Sequence, residues 1–336
     1  MLFGTHKVNL KIKKKGFKMG NWSSSRVSTY KDCPLKYYYS YVRPFKSDVP
    51  VNTVLADKGS VLHETVEKYH TGMSRDELLE ILSEKCQQWN IINDTEENKE
   101  KYSESERERV FDETAGIDRF LLFWDYFVAP KEKEGWIVHQ EGEVKKEICG
   151  EPFIGKLDLY LKSPTGEYII ADYKTGKSIC ASDYKFQQIL YAYLLGLEEG
   201  WTIEETSKKV KLYIFGPLSE QKKPITPEDK MLASIKEIKY DAKEMEDLIK
   251  NYINIITEIK SIDWNEVEPK LLGKNSFSCK WCQYLGSIPN KETGFSGCKC
   301  TYDLGFRQPR NVKFNPQNWS YHLDIHAHKC KEKSNT

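Results

Sequence analysis

Three stretches follow one another between residues 155 and 191: Gly155-Lys156-Leu157-Asp158, then Tyr168-Ile169-Ile170-Ala171-Asp172-Tyr173-Lys174-Thr175-Gly176, then Gln187-Gln188-Ile189-Leu190-Tyr191. The first closes an apolar run. The second is apolar up to its aspartate, the pattern of a buried strand that ends at a polar edge, and Thr175-Gly176 closes it with a turn. The third reads as a helix. On a strand, residues two apart leave the same face, so Asp172 and Lys174 share one. The order therefore sets two acidic residues and a lysine on adjacent strands with a glutamine-bearing helix behind them.

That arrangement has a chemical use. A hard divalent cation such as Mg²⁺ or Mn²⁺ takes oxygen ligands and keeps several waters, so one or two carboxylates plus a phosphate suffice to hold it. Asp158 and Asp172 supply the carboxylates, and the Lys174 ammonium, a point charge on a flexible stem, reaches an attacking water or the phosphate. An isolated Asp-x-Lys is commonplace at solvated strand ends. What gives this one weight is its company, with all three elements in order and closely spaced. Glu141 and Glu143 lie on the preceding strand; strand alternation puts both on one face and does not choose which of them, if either, joins the site.

These residues resemble the RecB-like branch of the PD-(D/E)xK nucleases, which includes the iron-sulfur CRISPR-associated exonucleases. In that branch a Gly-x-x-x-His element on an early helix gives a histidine ligand, and this chain has Gly59-Ser60-Val61-Leu62-His63. The resemblance implies that His63, Asp158 and Asp172 are metal ligands, with the Ala171 carbonyl a further one, and that Lys174 is the catalytic lysine. Gln187 and Tyr191 match the branch's Gln-x-x-x-Tyr pair, which orients the site and touches DNA. Without the resemblance, His63 in the helical pattern Val61, Leu62, Thr65, Val66, Tyr69 reads as an ordinary helix residue. The implied fold is α/β, a restriction-endonuclease-like core of a mixed central sheet flanked by helices. The implied activity is Mg²⁺- or Mn²⁺-dependent hydrolysis of DNA phosphodiesters, on single strands or free ends, with a non-catalytic DNA-binding or accessory subunit of a helicase-nuclease complex as the alternative. No Gly-x-x-x-x-Gly-Lys-Ser/Thr motif appears, so a helicase, CRISPR or recombination partner would be another chain.

The cysteines extend the resemblance. Ser23 to Tyr39 opens with serine caps and runs on as an aromatic-rich helix containing Cys33-Pro34, similar to the branch's segment whose cysteine is the first ligand of an iron-sulfur cluster. By that analogy Cys33, Cys279, Cys282 and Cys298 hold [4Fe-4S] and clip the two ends of the domain together. The segment from Gln283 to Gly297 is longer than the branch's usual spacing, and Cys300 competes with Cys298 as fourth ligand. Four thiolates equally suit Zn²⁺, and a local site of Cys279, Cys282, Cys298 and Cys300 would leave Cys33 free. Cys86, Cys149 and Cys180 stand singly. The cysteine count is nine, odd, and no secretory signal precedes it, which points to a reducing, cytoplasmic compartment rather than to disulfides.

Of 336 residues, 51 are Lys or Arg and 50 Asp or Glu, a net charge of +1 that rules out an argument from bulk basicity. The basic runs Lys11 to Lys18 and Lys208-Lys209 are solvated faces or phosphate contacts. No apolar run approaches the ~20 residues of a membrane helix. Aromatics fill core or stack on unpaired bases. Residues 1–20 read as an ill-ordered leader, 21–300 as one elaborated nuclease domain with a helical insertion over about 73–130, and 301–336 as a polar tail in which His322, His326, His328 and Cys330 either bind metal or remain flexible. Periodicity predicts helices at 75–90 and 103–128, strands near 136–147, 152–162 and 167–174, a helix at 183–199, a strand at 209–215 and a helix near 240–260.

Overall fold

The computed structural model describes residues 20–42, 54–70, 72–88, 113–175, 180–216 and 235–267, with the backbone of two further short strands. The expectations for the leader and tail, and for Cys279, Cys282 and Cys300, lie outside the described residues. Two short helices open the chain, α1 (Ser24–Asp32) and α2 (Pro34–Tyr37), followed by a π turn, Tyr38–Val42. Ser23 caps α1 by accepting the Arg26 N–H at 3.2 Å. Next come α3 (Val54–Val66), α4 (Arg75–Gln88) and α5 (Glu113–Phe123), which runs through a π turn, Trp124–Val128, into α6 (Ala129–Lys133).

The sheet follows: β1 (Ile137–Ile148), β2 (Glu151–Lys162), β3 (Tyr168–Tyr173), then α7 (Ala181–Glu199), α8 (Ile203–Lys209), β4 (Val210–Phe215), β5 (Ile235–Ile238) and α9 (Ala242–Ser261). Its spatial order is β1-β2-β3-β4-β5, antiparallel except for the parallel β3–β4 pair that α7 and α8 connect. A small hairpin, β6 (Ser287–Asn290) and β7 (Phe295–Cys298), ends the described chain, with Cys298 its last residue. This is the mixed α/β core expected.

Among the described elements β5, α8 and the two strands of the hairpin were not anticipated. The four-residue β5 is too short to show a period. The α8 start is legible in hindsight, because Thr202 and Glu205 form a capping box, each side chain bonding the other's backbone N–H.

Helices cover both faces of the sheet, which is why β3 is buried along its whole length. Trp22, Tyr37, Ile170, Leu190, Tyr191, Met245 and Tyr252 belong to the cluster on one face; Leu62, Phe120, Phe123, Leu159, Ala171 and Tyr173 belong to the other. The long β1–β2 ribbon serves both. Phe153 and Leu157 pack in the first cluster, whereas Leu159 and Leu161, at the same strand parity, pack in the second. The crossover lies where the ladder is interrupted between the pairs Gln140 with Leu159 and Gly142 with Leu157, leaving Glu141 opposite Asp158. Glu141 there has φ of 51°, in the left-handed region that non-glycine residues seldom occupy. No helix among the described residues is long and apolar enough to cross a membrane.

Candidate active site

The site forms at this interruption. Asp158 lies inside β2, within the strand expected over 152–162, on the rung where ladder bonding lapses. Its Oδ2 accepts the Tyr173 N–H at 2.7 Å, tying it to β3. Continuing the β2–β3 register past Leu159 and Ala171 sets Asp158 opposite Asp172. His63 on α3 faces Asp158 from the other side, its Nδ1 at 3.8 Å from Oδ2. That is too long for a hydrogen bond, and less than twice the ~2.1 Å of a typical metal–ligand bond.

The other ring nitrogen of His63, Nε2, lies 3.0 Å from the Tyr173 carbonyl oxygen. A carbonyl can only accept, so Nε2 carries the proton and Nδ1 presents a lone pair towards the carboxylates. Burial, then the nearby Lys174 charge, lowers the His63 pKa and keeps the ring neutral. Glycine explains the close approach of these elements. A Cβ on Gly59 would lie 2.9 Å from Thr175 Oγ1, just beyond β3, and one on Gly155 would lie 2.9 Å from Tyr191 Cδ1.

Between the two glutamates the structure chooses. Both are exposed, but one ligand atom each from His63, Glu141 and Asp158 lies within 4.8 Å of the others, whereas Glu143 is paired with Lys145. Asp172 stands outside that trio, on the next strand. It is 2% exposed, and its Oδ2 is ion-paired with Lys174 Nζ. Lys174 is fixed by its backbone N–H, which donates to the Phe215 carbonyl at 2.8 Å, and by the Tyr184 ring, 4.9 Å from Nζ. Sequence gave no signal for Tyr184. Gln187 Nε2 donates to the Tyr191 hydroxyl at 2.6 Å, one helical turn on. Ala171 lies inside the sheet between Leu159 and Tyr213, and the carbonyl that meets His63 is that of Tyr173.

The electrostatics are those of crowded carboxylates. Burial pushes Asp158 up to about 6, against the pull of Lys174 and the Tyr173 N–H. Burial and the Asp158 charge push Asp172 up to about 6. Partial burial and Glu67 raise Glu141. Burial opposes the Lys174 charge, but Asp172 and Asp158 outweigh it and raise its pKa. Three acids that resist ionising, Asp172 buried, Asp158 half-buried and Glu141 at the exposed rim, form with one neutral imidazole a donor set that a hard divalent cation satisfies. The donors present thus fit such an ion.

The pH consequence has a definite sign. The aspartates ordinarily ionise near 3.8, and in the folded chain near 6, so the fold favours their protonated forms. Their contribution to stability is complete below about pH 4 and lost as pH rises through about 6. In EDTA, the melting temperature of wild type relative to an Asp158→Asn/Asp172→Asn double variant is expected to fall over that window. Mn²⁺ at neutral pH is expected to restore it. A difference flat in pH would contradict the burial of these charges.

With the geometry in place, comparison identifies the class. Residues 21–287 match the model of the PD-(D/E)XK nuclease superfamily, and the chain belongs to that superfamily. Its members hydrolyse nucleic acid with divalent metals, which makes nucleic acid the implied substrate class. A crystal structure of a putative exonuclease from Eubacterium rectale is similar at 15% identity and TM-score 0.43, over 72% of this chain and 82% of that one. Protein VC1899 from Vibrio cholerae is similar at 12% identity and TM-score 0.23, over 70% of this chain and 57% of that one. No curated protein matches the sequence.

Proposed function

We propose that the protein is a Mg²⁺- or Mn²⁺-dependent deoxyribonuclease acting on single-stranded DNA or at DNA ends. The observation that carries this reading is the convergence of His63, Glu141 and Asp158 within 4.8 Å, beside the Lys174–Asp172 pair. His63, Glu141, Asp158 and Asp172 would hold the cation. What a bound cation supplies is positive charge that screens the scissile phosphate and acidifies an attacking water. His63 binds through Nδ1 because Tyr173 fixes its tautomer. Lys174, a charged donor, orients the water or a phosphate oxygen. Gln187 and Tyr191, joined to each other, line the helix over the site.

DNA ends as substrate rest on the motif resemblance together with superfamily membership. The test uses linear single-stranded DNA labelled at one end, a circular single strand and an RNA of the same sequence. With Mn²⁺ the linear DNA is expected to shorten progressively while the circle persists. Equal attack on circles would make the enzyme an endonuclease, and preference for RNA would overturn the DNA assignment.

The same reading includes a [4Fe-4S] cluster on Cys33, Cys279, Cys282 and Cys298, set against the local zinc site. Its support is the position of Cys33, a free thiol buried at the α1–α2 junction. Trp264, beyond α9, packs on Tyr37 and Tyr38 with ring centroids 5.6 and 6.1 Å away, so the end of α9 lies against the short helix that follows Cys33. Anaerobically purified protein is expected to be brown, absorbing near ~400 nm. Cys33→Ala is expected to lose the colour and to melt earlier. The loss should be partial, because α1 is also bonded to α9 through Ser24 with Tyr252 and Tyr30 with Glu258. A colourless protein with one zinc, indifferent to Cys33→Ala, would refute the clip.

A further inference from the structure

Gln188 is the polar residue of α7 that neither the fold nor the reaction above employs. It is 0% exposed, and among the described residues neither its amide nitrogen nor its amide oxygen has a hydrogen-bond partner. An unpaired carboxamide inside a protein sacrifices stability that an apolar side chain of similar volume would keep. Such groups in native structures ask for an explanation, and a role at a reacting site is one.

Its surroundings supply one. Helical spacing puts Gln188 one turn from Tyr184 and beside Tyr191 on the same side of α7. Tyr184 carries the Lys174 ammonium, and Tyr191 closes on Gly155, three residues before Asp158. Asp172 leaves β3 on the face that α7 covers, because Ile170, two residues earlier, packs in the cluster with Ile189, Leu190 and Tyr191. The Asp172 Oδ2 is itself deeply buried and held by the Lys174 ion pair, with no other hydrogen-bond donor among the described residues.

We propose that Gln188 is a positioning residue for Asp172, its amide N–H donating to that carboxylate once Lys174 turns to the substrate. The logic is an exchange of partners. Lys174 neutralises Asp172 in the arrangement seen here and is therefore engaged away from any phosphate. When its ammonium moves to the reacting group, a buried carboxylate oxygen would be left with no donor, which is costly. A neutral amide buried on the helix that covers this face of β3 supplies the donor without adding a positive charge that would compete with a cation. Oriented in this way, Asp172 keeps one oxygen for the cation while the other is fixed.

The inference rests on the metal-dependent nuclease reading, and the test separates the two. Gln188→Met preserves length and apolar packing while removing the donor. Three quantities are measured: melting temperature in EDTA, Mn²⁺ affinity by calorimetry, and kcat and KM on single-stranded DNA. The expected result is an unchanged or higher melting temperature, Mn²⁺ binding weakened by ~10-fold or more, and kcat reduced with KM for DNA unchanged. Mn²⁺ affinity and kcat equal to wild type would overturn the proposal and leave the nuclease reading standing. So would a lower melting temperature in EDTA, which would mean the amide already has a structural partner. Wild type that neither binds Mn²⁺ nor cleaves would overturn both.

Discussion

Lys174→Ala is expected to lower the rate of DNA cleavage by about 10²–10⁴-fold, the range typical of losing a positioned proton-transfer or charge-stabilising group, with the fold retained. The ammonium sits at the mouth of β3, and its backbone is anchored to Phe215 independently of the side chain. Removing it creates little core cavity. What it does remove is the charge that pairs with Asp172 and is stacked by Tyr184. The effect should fall on kcat more than on KM, because the ammonium acts at the reacting phosphate rather than along the strand. Lys174→Arg is not expected to restore the rate, since a planar guanidinium does not replace a compact ammonium against one carboxylate oxygen. Turnover of the alanine variant within a few-fold of wild type would remove Lys174 from the reaction.

Asp158→Asn should be the most damaging change to metal binding, with affinity for Mn²⁺ reduced by about 100-fold, at the upper end of what changes around a metal site cost. Asp158 stands at the centre of the group: it faces His63 and Glu141, opposes Asp172, and accepts the Tyr173 N–H. Asparagine keeps the shape and can turn its oxygen to the Tyr173 N–H, so the fold survives, but the negative charge is gone. Calorimetric titration of both proteins checks this. Unaltered Mn²⁺ affinity would mean that the cation sits elsewhere.

Much of this is legible in the sequence. The β3 run is apolar on both faces because helices cover both, and such a strand declares itself in sequence. Asp172 and Lys174 follow from strand alternation, and the Gln187–Tyr191 pair from helical spacing. The choice between Glu141 and Glu143 was not legible, because it depends on a ladder interruption and a left-handed residue that neither composition nor period encodes. The same interruption opens the ladder at Asp158, within the strand that the sequence predicts over 152–162. The bond between His63 and the Tyr173 carbonyl is not legible either, because it depends on where α3 lays the histidine across the strand. Gly59 and Gly155 could be quoted as motif letters, but their reason, the nearness of Thr175 and Tyr191, appears only in three dimensions. For the thiolates, Cys33 alone lies among residues whose side chains are described.

The account centres on a divalent cation held by His63, Glu141, Asp158 and Asp172, on which phosphodiester cleavage depends. Its most direct test is digestion of end-labelled single-stranded DNA by purified wild-type protein with Mn²⁺ and with EDTA, run beside Asp158→Asn. Cleavage by wild type with Mn²⁺, abolished by EDTA and by the substitution, is the predicted result. Cleavage that persists in EDTA, or folded wild-type protein that cuts no DNA with any divalent metal, would contradict it.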